Sequence, residues 1–295
     1  MNGTYICSAI GTPLTVDETL HREGLYAHLE DQRGAGINGV LVAGTMGAMP
    51  LLTGRTYEDL VRQSVSAWRA SGELLVGVGD FSLARTKERL RIVNELKVDG
   101  AVVLSPFFLK YSQSELIDYF ESVARESRAP VYLYDLPQRT GVALDIETVA
   151  RLAEHPNIAG IKCSGDIAQV RRLCDTLRGS NFRVIVAQST MIDVLLRAGF
   201  NEHVDGIYCI VPKIVCGIRS AAENSDWDLA AKRARVLDDL LTVIVNYGVF
   251  PAMTVLLNRR GIAGNYAPRP HQPLPAEASE RLLSDPAVRV ALNEI

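Results

Sequence analysis

Short apolar runs alternate with longer amphipathic stretches along most of this chain, and this alternation constrains its fold more than any other feature. The predicted strands are residues 5–10, 39–43, 74–78, 100–104, 131–134, 158–162, 184–187 and 206–210. The predicted helices are residues 17–33, 56–71, 83–96, 112–128, 145–154, 168–178 and 191–200. Strands that are apolar throughout are typical of a parallel sheet buried on both faces. Eight β/α units favour a closed (β/α)8 TIM barrel over an open sheet.

Signals at the ends of these elements support the same assignment. Ser112, followed three residues later by Glu115, has the form of a capping box at the start of a helix. From about Asp226 onward the strand pattern ends, and residues 228–245, 252–260 and 275–292 are predicted helices. We therefore predict a barrel over residues 1–225 and a C-terminal helical extension, packed on the barrel, over residues 226–295.

Composition and charge exclude several classes of function. The chain is 47% hydrophobic and 22% charged, with a formal net charge of −3, so we expect no nucleic-acid partner. The cysteines form no CxxC pair, which favours reduced thiols and a cytoplasmic location. Residues 1–4 lack the pattern of a signal peptide. The uncharged run 34–52 contains glycines and Pro50, so we interpret it as turn, strand and turn and expect no membrane segment.

Three common catalytic signatures are missing or misplaced. The run 34–39 matches GxGxxG, but a helix precedes it and a strand follows, the reverse of a dinucleotide-binding unit. We interpret it as a helix-to-strand turn. No HExxH or GxSxG motif is present, and the histidines are scattered. We therefore predict no cofactor and no metal, and expect neither a metal-dependent aldolase nor a serine hydrolase.

Lys162 ends a predicted strand and is followed by a Cys-Ser-Gly turn. In a barrel of this kind the active site lies at the C-terminal ends of the strands. An amine held there away from water loses solvation, which disfavours its charged form, and a neutral lysine can form a Schiff base with a carbonyl. The alternative is a strand-end lysine that pairs with a carboxylate.

Two further strand ends carry groups that suit such chemistry. Gly44 and Thr45 follow the second strand, where backbone N–H groups and a hydroxyl can hold a small carboxylate. Tyr134 ends the fifth strand, where a phenol can relay protons, and Arg139 can bind a second carboxylate. Each residue also has a purely structural interpretation, as part of a turn or of the barrel rim.

Together these segments resemble the class I aldolase and lyase family that includes dihydrodipicolinate synthase, N-acetylneuraminate lyase and 2-keto-3-deoxygluconate aldolase. Residues 44–47 (GTMG) resemble the family's GTTG segment, residues 134–141 (YDLPQRTG) its YNxPxRTG segment, and residues 160–162 (GIK) its G-[IV]-K-[DE] segment. The resemblance covers nearly the whole chain. It implies a barrel with a helical C-terminal extension, assembled as a homotetramer or dimer.

The resemblance also implies roles for individual residues. Lys162 would form an imine with pyruvate or another 2-oxo acid, Tyr134 would act as acid and base there, and Thr45 would bind the carboxylate of the 2-oxo acid. The remaining predicted substrate-binding residues are Gly44, Met46, Gly47, Phe108, Arg139, Gln188 and Ile207.

Departures from the family pattern make the predicted pocket less polar. Met46 replaces a threonine, Ala48 a glutamate, Phe108 a tyrosine of the family's Pro-Tyr-Tyr segment, and Cys163 an acid. Gln188 stands about where sialic acid lyases carry acids. These losses argue against dihydrodipicolinate synthase itself and against a sialic acid lyase.

Three smaller features complete the comparison with the family pattern. Tyr208 follows Ile207 where a small residue is usual, and residues 201–204 resemble a small insertion. Arg139 still favours a substrate with a second carboxylate. Cys163, on a strand, is expected to face away from Lys162 and to pack behind the barrel.

Three functions follow from this sequence. The preferred hypothesis is a Schiff-base lyase or aldolase that makes or breaks a carbon–carbon bond next to a 2-oxo acid. The second is a 2-keto-3-deoxy sugar acid dehydratase or hydratase that uses the same imine and breaks a carbon–oxygen bond. The third is a non-catalytic barrel that binds a 2-oxo acid.

Overall fold

The computed structural model describes residues 3–68 and 70–294, and eight strands in these residues form one barrel. The strands are β1 Tyr5–Ala9, β2 Gly39–Val42, β3 Glu73–Gly77, β4 Gly100–Leu104, β5 Val131–Asp135, β6 Ile158–Cys163, β7 Arg183–Val186 and β8 Glu202–Asp205. They are neighbours in chain order and close into a barrel, with parallel pairing. The predicted (β/α)8 TIM barrel is confirmed.

Helices connect the strands and extend the chain beyond them. They are α1 Arg22–Ala35, α2 Gly54–Trp68, α3 Leu83–Asn94, α4 Gln113–Glu126, α5 Pro137–Thr140, α6 Ile146–Ala153, α7 Ile167–Thr176, α8 Ile192–Arg197, α9 Pro212–Glu223, α10 Trp227–Tyr247, α11 Val249–Arg259, α12 Ala276–Ser284 and α13 Pro286–Asn293. The predicted C-terminal helices are present. The domain boundary at residue 225 stays a prediction. Residues 1, 2 and 295 of the predicted parts, and Arg69 of the predicted helix 56–71, lie outside the described residues.

The eighth strand is the one strand that was predicted in the wrong place. The other seven agree with the structure to within one residue at each end. The predicted strand 206–210 is instead a turn followed by a 3-10 helix at Ile207–Cys209, in which the Ile207 N–H donates to Asp205 Oδ1 at 3.1 Å. A short apolar run cannot by itself distinguish a strand from a buried helical turn.

The true β8 is Glu202–Asp205, which overlaps the residues 201–204 that resemble an insertion in the family pattern; the insertion itself stays a prediction. β8 pairs with β1 in the register Tyr5 with Glu202 and Ile6 with His203. Its polar residues hide it in the sequence, but the His203 side chain is buried and its Nε2 donates to Phe200 O at 2.8 Å. Burial lowers the pKa of His203 to about 4, so at neutral pH the ring is uncharged and tolerated in the barrel wall.

Helix ends follow local chemistry, with two corrections. The helix predicted from residue 17 begins at Arg22, because His21 Nδ1 accepts from the Gly24 N–H. The single helix predicted over 275–292 is two helices, since Pro286 keeps Asp285 extended between them. The short helix α5 and the helix α9 were not predicted. The capping box of Ser112 and Glu115 is confirmed.

The GxGxxG run is the turn that its position indicated. α1 ends at Ala35, Gly36 takes a left-handed conformation with φ of 85°, and β2 begins at Gly39. A glycine adopts that conformation at no steric cost.

The chain divides into two compact units. The second unit, Glu73–Ala187, contains β3 to β7, and within it Arg183 reaches Glu73 at 2.6 Å and the Tyr132 hydroxyl at 2.9 Å. The first unit holds the described residues up to Gly72 and from Gln188 onward, including β8, β1 and β2.

No single helix among the described residues has both the length and the apolarity to cross a membrane. The pair α10 and α11 meets both criteria only when taken together, across a bend of 118°.

Candidate active site

Lys162 and Tyr134 form the central contact of the candidate site in the second unit. Lys162, in β6, is 7% exposed, and it pairs in register with Tyr134 of β5. The Lys162 Nζ atom lies 3.8 Å from the centroid of the Tyr134 ring. The face of an aromatic ring attracts a cation and provides an apolar surface for an amine. The ring therefore holds the amine in one position at the end of the strand.

The next residue on each strand lies behind this pair. Asp135 and Cys163 are again paired in register, and both are buried. They line a small cavity together with Val149 of α6 and Val170 of α7. Side chains alternate along a strand, so these two face away from the Lys162 amine. This agrees with the position expected for Cys163, and burial raises the pKa of its thiol.

Arg139 lies on the segment that follows β5. It belongs to the short helix α5 and is exposed. Within the described part of the chain, no carboxylate pairs with its guanidinium. Gln138 beside it donates from Nε2 to Ser164 O at 2.9 Å, which fastens the segment to the turn after β6. An exposed, unpaired guanidinium on a fastened segment suits the binding of an anion.

The turn after β2 belongs to the first unit and carries four of the predicted residues. Gly44 and Gly47 are buried, whereas Thr45 is partly exposed. The Ala48 N–H donates to Thr45 O at 3.0 Å and closes the turn. Thr12, which follows β1, donates from its buried hydroxyl to Gly47 O at 2.7 Å. The turn is therefore held from the neighbouring strand as well as from within.

Met46 of the same turn lies against the residue that follows β8. A Cβ atom at Gly206 would lie 3.0 Å from both Cγ and Cε of Met46. Ile207, next in the chain, is buried and starts the 3-10 helix. Met46 therefore lies against Gly206, the residue directly before Ile207, within the first unit.

Two predicted residues have other surroundings. Phe108 is 88% exposed, with φ of 85°, and its neighbour Phe107 stacks on Phe81 at 4.2 Å between centroids. Gln188 is partly exposed and precedes a 3-10 helix, where the Met191 N–H donates to its carbonyl at 3.2 Å. Their roles in substrate binding stay predictions.

Asp135 and Thr12 are site residues that the sequence did not reveal. Burial raises the pKa of the Asp135 carboxyl to about 6, while a hydrogen bond from the Leu144 N–H opposes the shift. The strand alternation could have placed Asp135 behind Tyr134, but its partner Leu144 was not recognisable from the sequence. Thr12 was overlooked because it lies just past the end of a strand. Among the described residues, no group of three or more His, Cys, Asp or Glu side chains is arranged to hold a metal ion.

Comparison with known proteins identifies the family. The model of the dihydrodipicolinate synthetase family matches residues 3–285 of this chain. The chain belongs to this family. Dihydrodipicolinate synthetase family enzymes are carbon–carbon lyases of the class I aldolase and lyase fold, so this chain is an enzyme of that class.

Individual family members span different substrates. A 4-hydroxy-tetrahydrodipicolinate synthase of Stenotrophomonas maltophilia is 31% identical to this chain, with 99% of each chain covered. The structure of N-acetylneuraminate lyase from Proteus mirabilis gives a TM-score of 0.91 at 22% identity over 98% of each chain. A variant of 2-keto-3-deoxygluconate aldolase from Sulfolobus solfataricus, in a pyruvate complex, gives 0.88 at 22% identity, covering 98% of this chain and 97% of that one. At 22% identity, the likeness to these two structures shows the fold.

Proposed function

We propose that this enzyme makes or breaks a carbon–carbon bond next to a 2-oxo acid, pyruvate or a close relative, through an imine on Lys162. The observation that carries the proposal is the buried Lys162 amine held over the ring of Tyr134. A family structure solved with pyruvate supports the choice of acid.

The reaction would proceed through covalent catalysis. The Lys162 amine attacks the C2 carbonyl of the 2-oxo acid, and water leaves as the imine forms. In the cleavage direction the protonated imine withdraws the electron pair of the C3–C4 bond, so the aldehyde departs and an enamine remains. The enamine takes a proton at C3, and water then releases pyruvate and the free amine. Tyr134 would carry the protons, and Thr45 would bind the carboxylate next to the imine.

The departures from the family's sequence pattern restrict the chemistry expected of the second substrate. Met46 and Phe108 supply a thioether and a phenyl ring where the family pattern has hydroxyls, so the enzyme should prefer a partner less rich in hydroxyl groups than a sialic acid. Arg139 favours a carboxylate on that partner.

Borohydride trapping tests the proposed imine. The protein is reduced in the presence of pyruvate, and adducts are located by intact mass and peptide mapping. We expect a pyruvate adduct on Lys162, none in the Lys162→Ala variant, and a wild-type yield in Lys97→Ala, which removes an exposed lysine of the same unit. A folded protein that traps neither pyruvate nor longer 2-oxo acids would refute the proposed imine on Lys162.

Product analysis separates the two catalytic hypotheses. A lyase incubated with 2-keto-3-deoxy sugar acids would produce pyruvate and an aldehyde. A dehydratase would instead produce a single dehydrated 2-oxo acid.

Assembly and location belong to the same proposal. We expect a homotetramer or a dimer, as the family resemblance implies, which sedimentation would measure. We place the enzyme in the cytoplasm, because all five cysteines are free thiols.

A further inference from the structure

A buried carboxylate closes the segment that carries Arg139. Asp135, directly after Tyr134, is 8% exposed. Its Oδ1 accepts from the Leu144 N–H at 3.1 Å, so the two ends of the segment 136–144 are joined through one side chain. Leu144 is itself buried, which keeps water from replacing this bond.

Two further contacts hold the same segment. Gln138 donates to Ser164 O, and Gln113 of α4 donates from Nε2 to Ala143 O, both at 2.9 Å. These bonds use neutral groups, whereas the Asp135 bond uses an ionisable acceptor. Hydrogen bonds to a carboxylate are about twice as strong as neutral ones. The Asp135 bond is therefore the strongest of the three contacts when the carboxyl group is ionised.

The cavity beside Asp135 is small, and no basic side chain lines it among the described residues. Its cavity is about 20 Å³, which admits one water-sized group and no substrate. β6 contributes Cys163 to this cavity, α6 contributes apolar side chains, and Asp166 stands at the start of α7 with Gln169. Cys174 of α7 lies near Cys163. No lysine, arginine or histidine is among the described residues that line the cavity, and burial raises the pKa of Asp135 to about 6.

We propose that Asp135 is a positioning residue for the reaction: its carboxyl group holds the segment 136–144 closed, which fixes Arg139 relative to Tyr134. The inference rests on the proposed function only in assigning catalytic use to Tyr134 and Arg139. The closure itself is a property of the fold. Because burial raises the pKa of Asp135 to about 6, the closed segment binds the proton more tightly than an opened, hydrated one, and acidification does not by itself release it.

Hydrogen exchange tests the closure without any substrate. We expect protection of the Leu144 amide, corrected for intrinsic exchange, to be about tenfold lower in Asp135→Ala, which removes the acceptor, than in the wild type. Asp135→Asn keeps an acceptor, so it should recover most of that protection. Asp145→Asn, an exposed change beside Leu144, should behave as wild type.

Pyruvate trapping tests the consequence for the reaction. The initial rate of borohydride-trapped adduct should be about tenfold lower in Asp135→Ala than in the wild type at pH 7, and Asp135→Asn should recover most of that loss. A wild-type rate in Asp135→Ala, or no recovery in Asp135→Asn, would overturn the inference. Absence of any adduct in the wild type would refute the proposed function, while the exchange data would still decide the closure.

Discussion

At the residue scale, the hydroxyl of Tyr134 is the group whose removal separates chemistry from packing. Tyr134→Phe keeps the ring beside the Lys162 amine and removes only the proton carrier. Because positioned acid–base groups contribute factors of about 10² to 10⁴, we expect the rate of pyruvate trapping to fall at least about 10²-fold. Stopped trapping reactions read by intact mass measure this rate.

Tyr132→Phe is the matched control for that change. Tyr132 lies two residues earlier on the same face of β5, where its hydroxyl meets Arg183. Its removal should lower stability and leave the trapping rate nearly intact. Equal rates in Tyr134→Phe and the wild type would remove Tyr134 from the proposed mechanism.

Single residues also show what the sequence could reveal about the site. The positions of Lys162 and Tyr134 at neighbouring strand ends were predictable, because each ends an apolar run, whereas their catalytic roles stay predictions. The role of Asp135 was not predictable, because its carboxylate accepts a hydrogen bond from the backbone amide of Leu144, nine positions further along the chain. Only the folded segment brings these two groups together.

At the element scale, the close approach of the backbone just after β3 to the end of β4 makes Gly79 hard to replace. A Cβ atom at Gly79 would lie 2.7 Å from the Leu104 carbonyl oxygen, and the backbone there cannot move aside as a flexible side chain can. We expect Gly79→Ala to lower the free energy of unfolding by about 3 kcal/mol. Urea denaturation followed by circular dichroism measures the loss.

Gly34→Ala provides the comparison for Gly79→Ala. Gly34 lies inside α1, and a Cβ atom there meets nothing within 4 Å. Alanine should stabilise this helix by about 0.5–1 kcal/mol. If both variants changed stability by the same amount, steric crowding at Gly79 would not explain the effect of Gly79→Ala.

The secondary-structure elements differ in how well they can be predicted from the sequence. β4 was predicted to the residue because it is wholly apolar and ends at Leu104 before a Ser-Pro turn. β8 escaped prediction because Glu202 and Asp205 frame it with charge, and its strand character comes from pairing with β1. Tertiary pairing, rather than local composition, decides such a strand.

At the scale of the whole molecule, buried titratable groups set the acid stability. Burial lowers the pKa of His28 and of His203 to about 4 from the ordinary 6.5. Between these values the unfolded chain binds more protons than the folded one, so the stability present above pH 6.5 is lost as the pH falls. Asp135 acts oppositely: its raised pKa makes the folded state bind the extra proton between about pH 4 and 6.

We therefore expect the free energy of unfolding to decrease between pH 6.5 and 4.5. The two histidines cause this decrease, and the proton bound by Asp135 in the folded state partly offsets it. Each histidine can contribute on the order of 3 kcal/mol over the full range. Asp135→Asn should show a steeper decrease, because the opposing proton is gone. Urea denaturation at a series of pH values tests this, and a pH-independent midpoint in both proteins would contradict it.

The contact between Met46 and Gly206 has a consequence for how this enzyme can evolve. An alanine at position 206 requires Met46 to yield by a few tenths of an ångström, whereas threonine at position 46, one transition away in the genetic code, lacks the Sδ and Cε atoms that make two of the three closest contacts. The order of substitution therefore matters. A lineage that first regains the hydroxyl at position 46 meets less crowding when residue 206 enlarges than a lineage that takes the two steps in reverse.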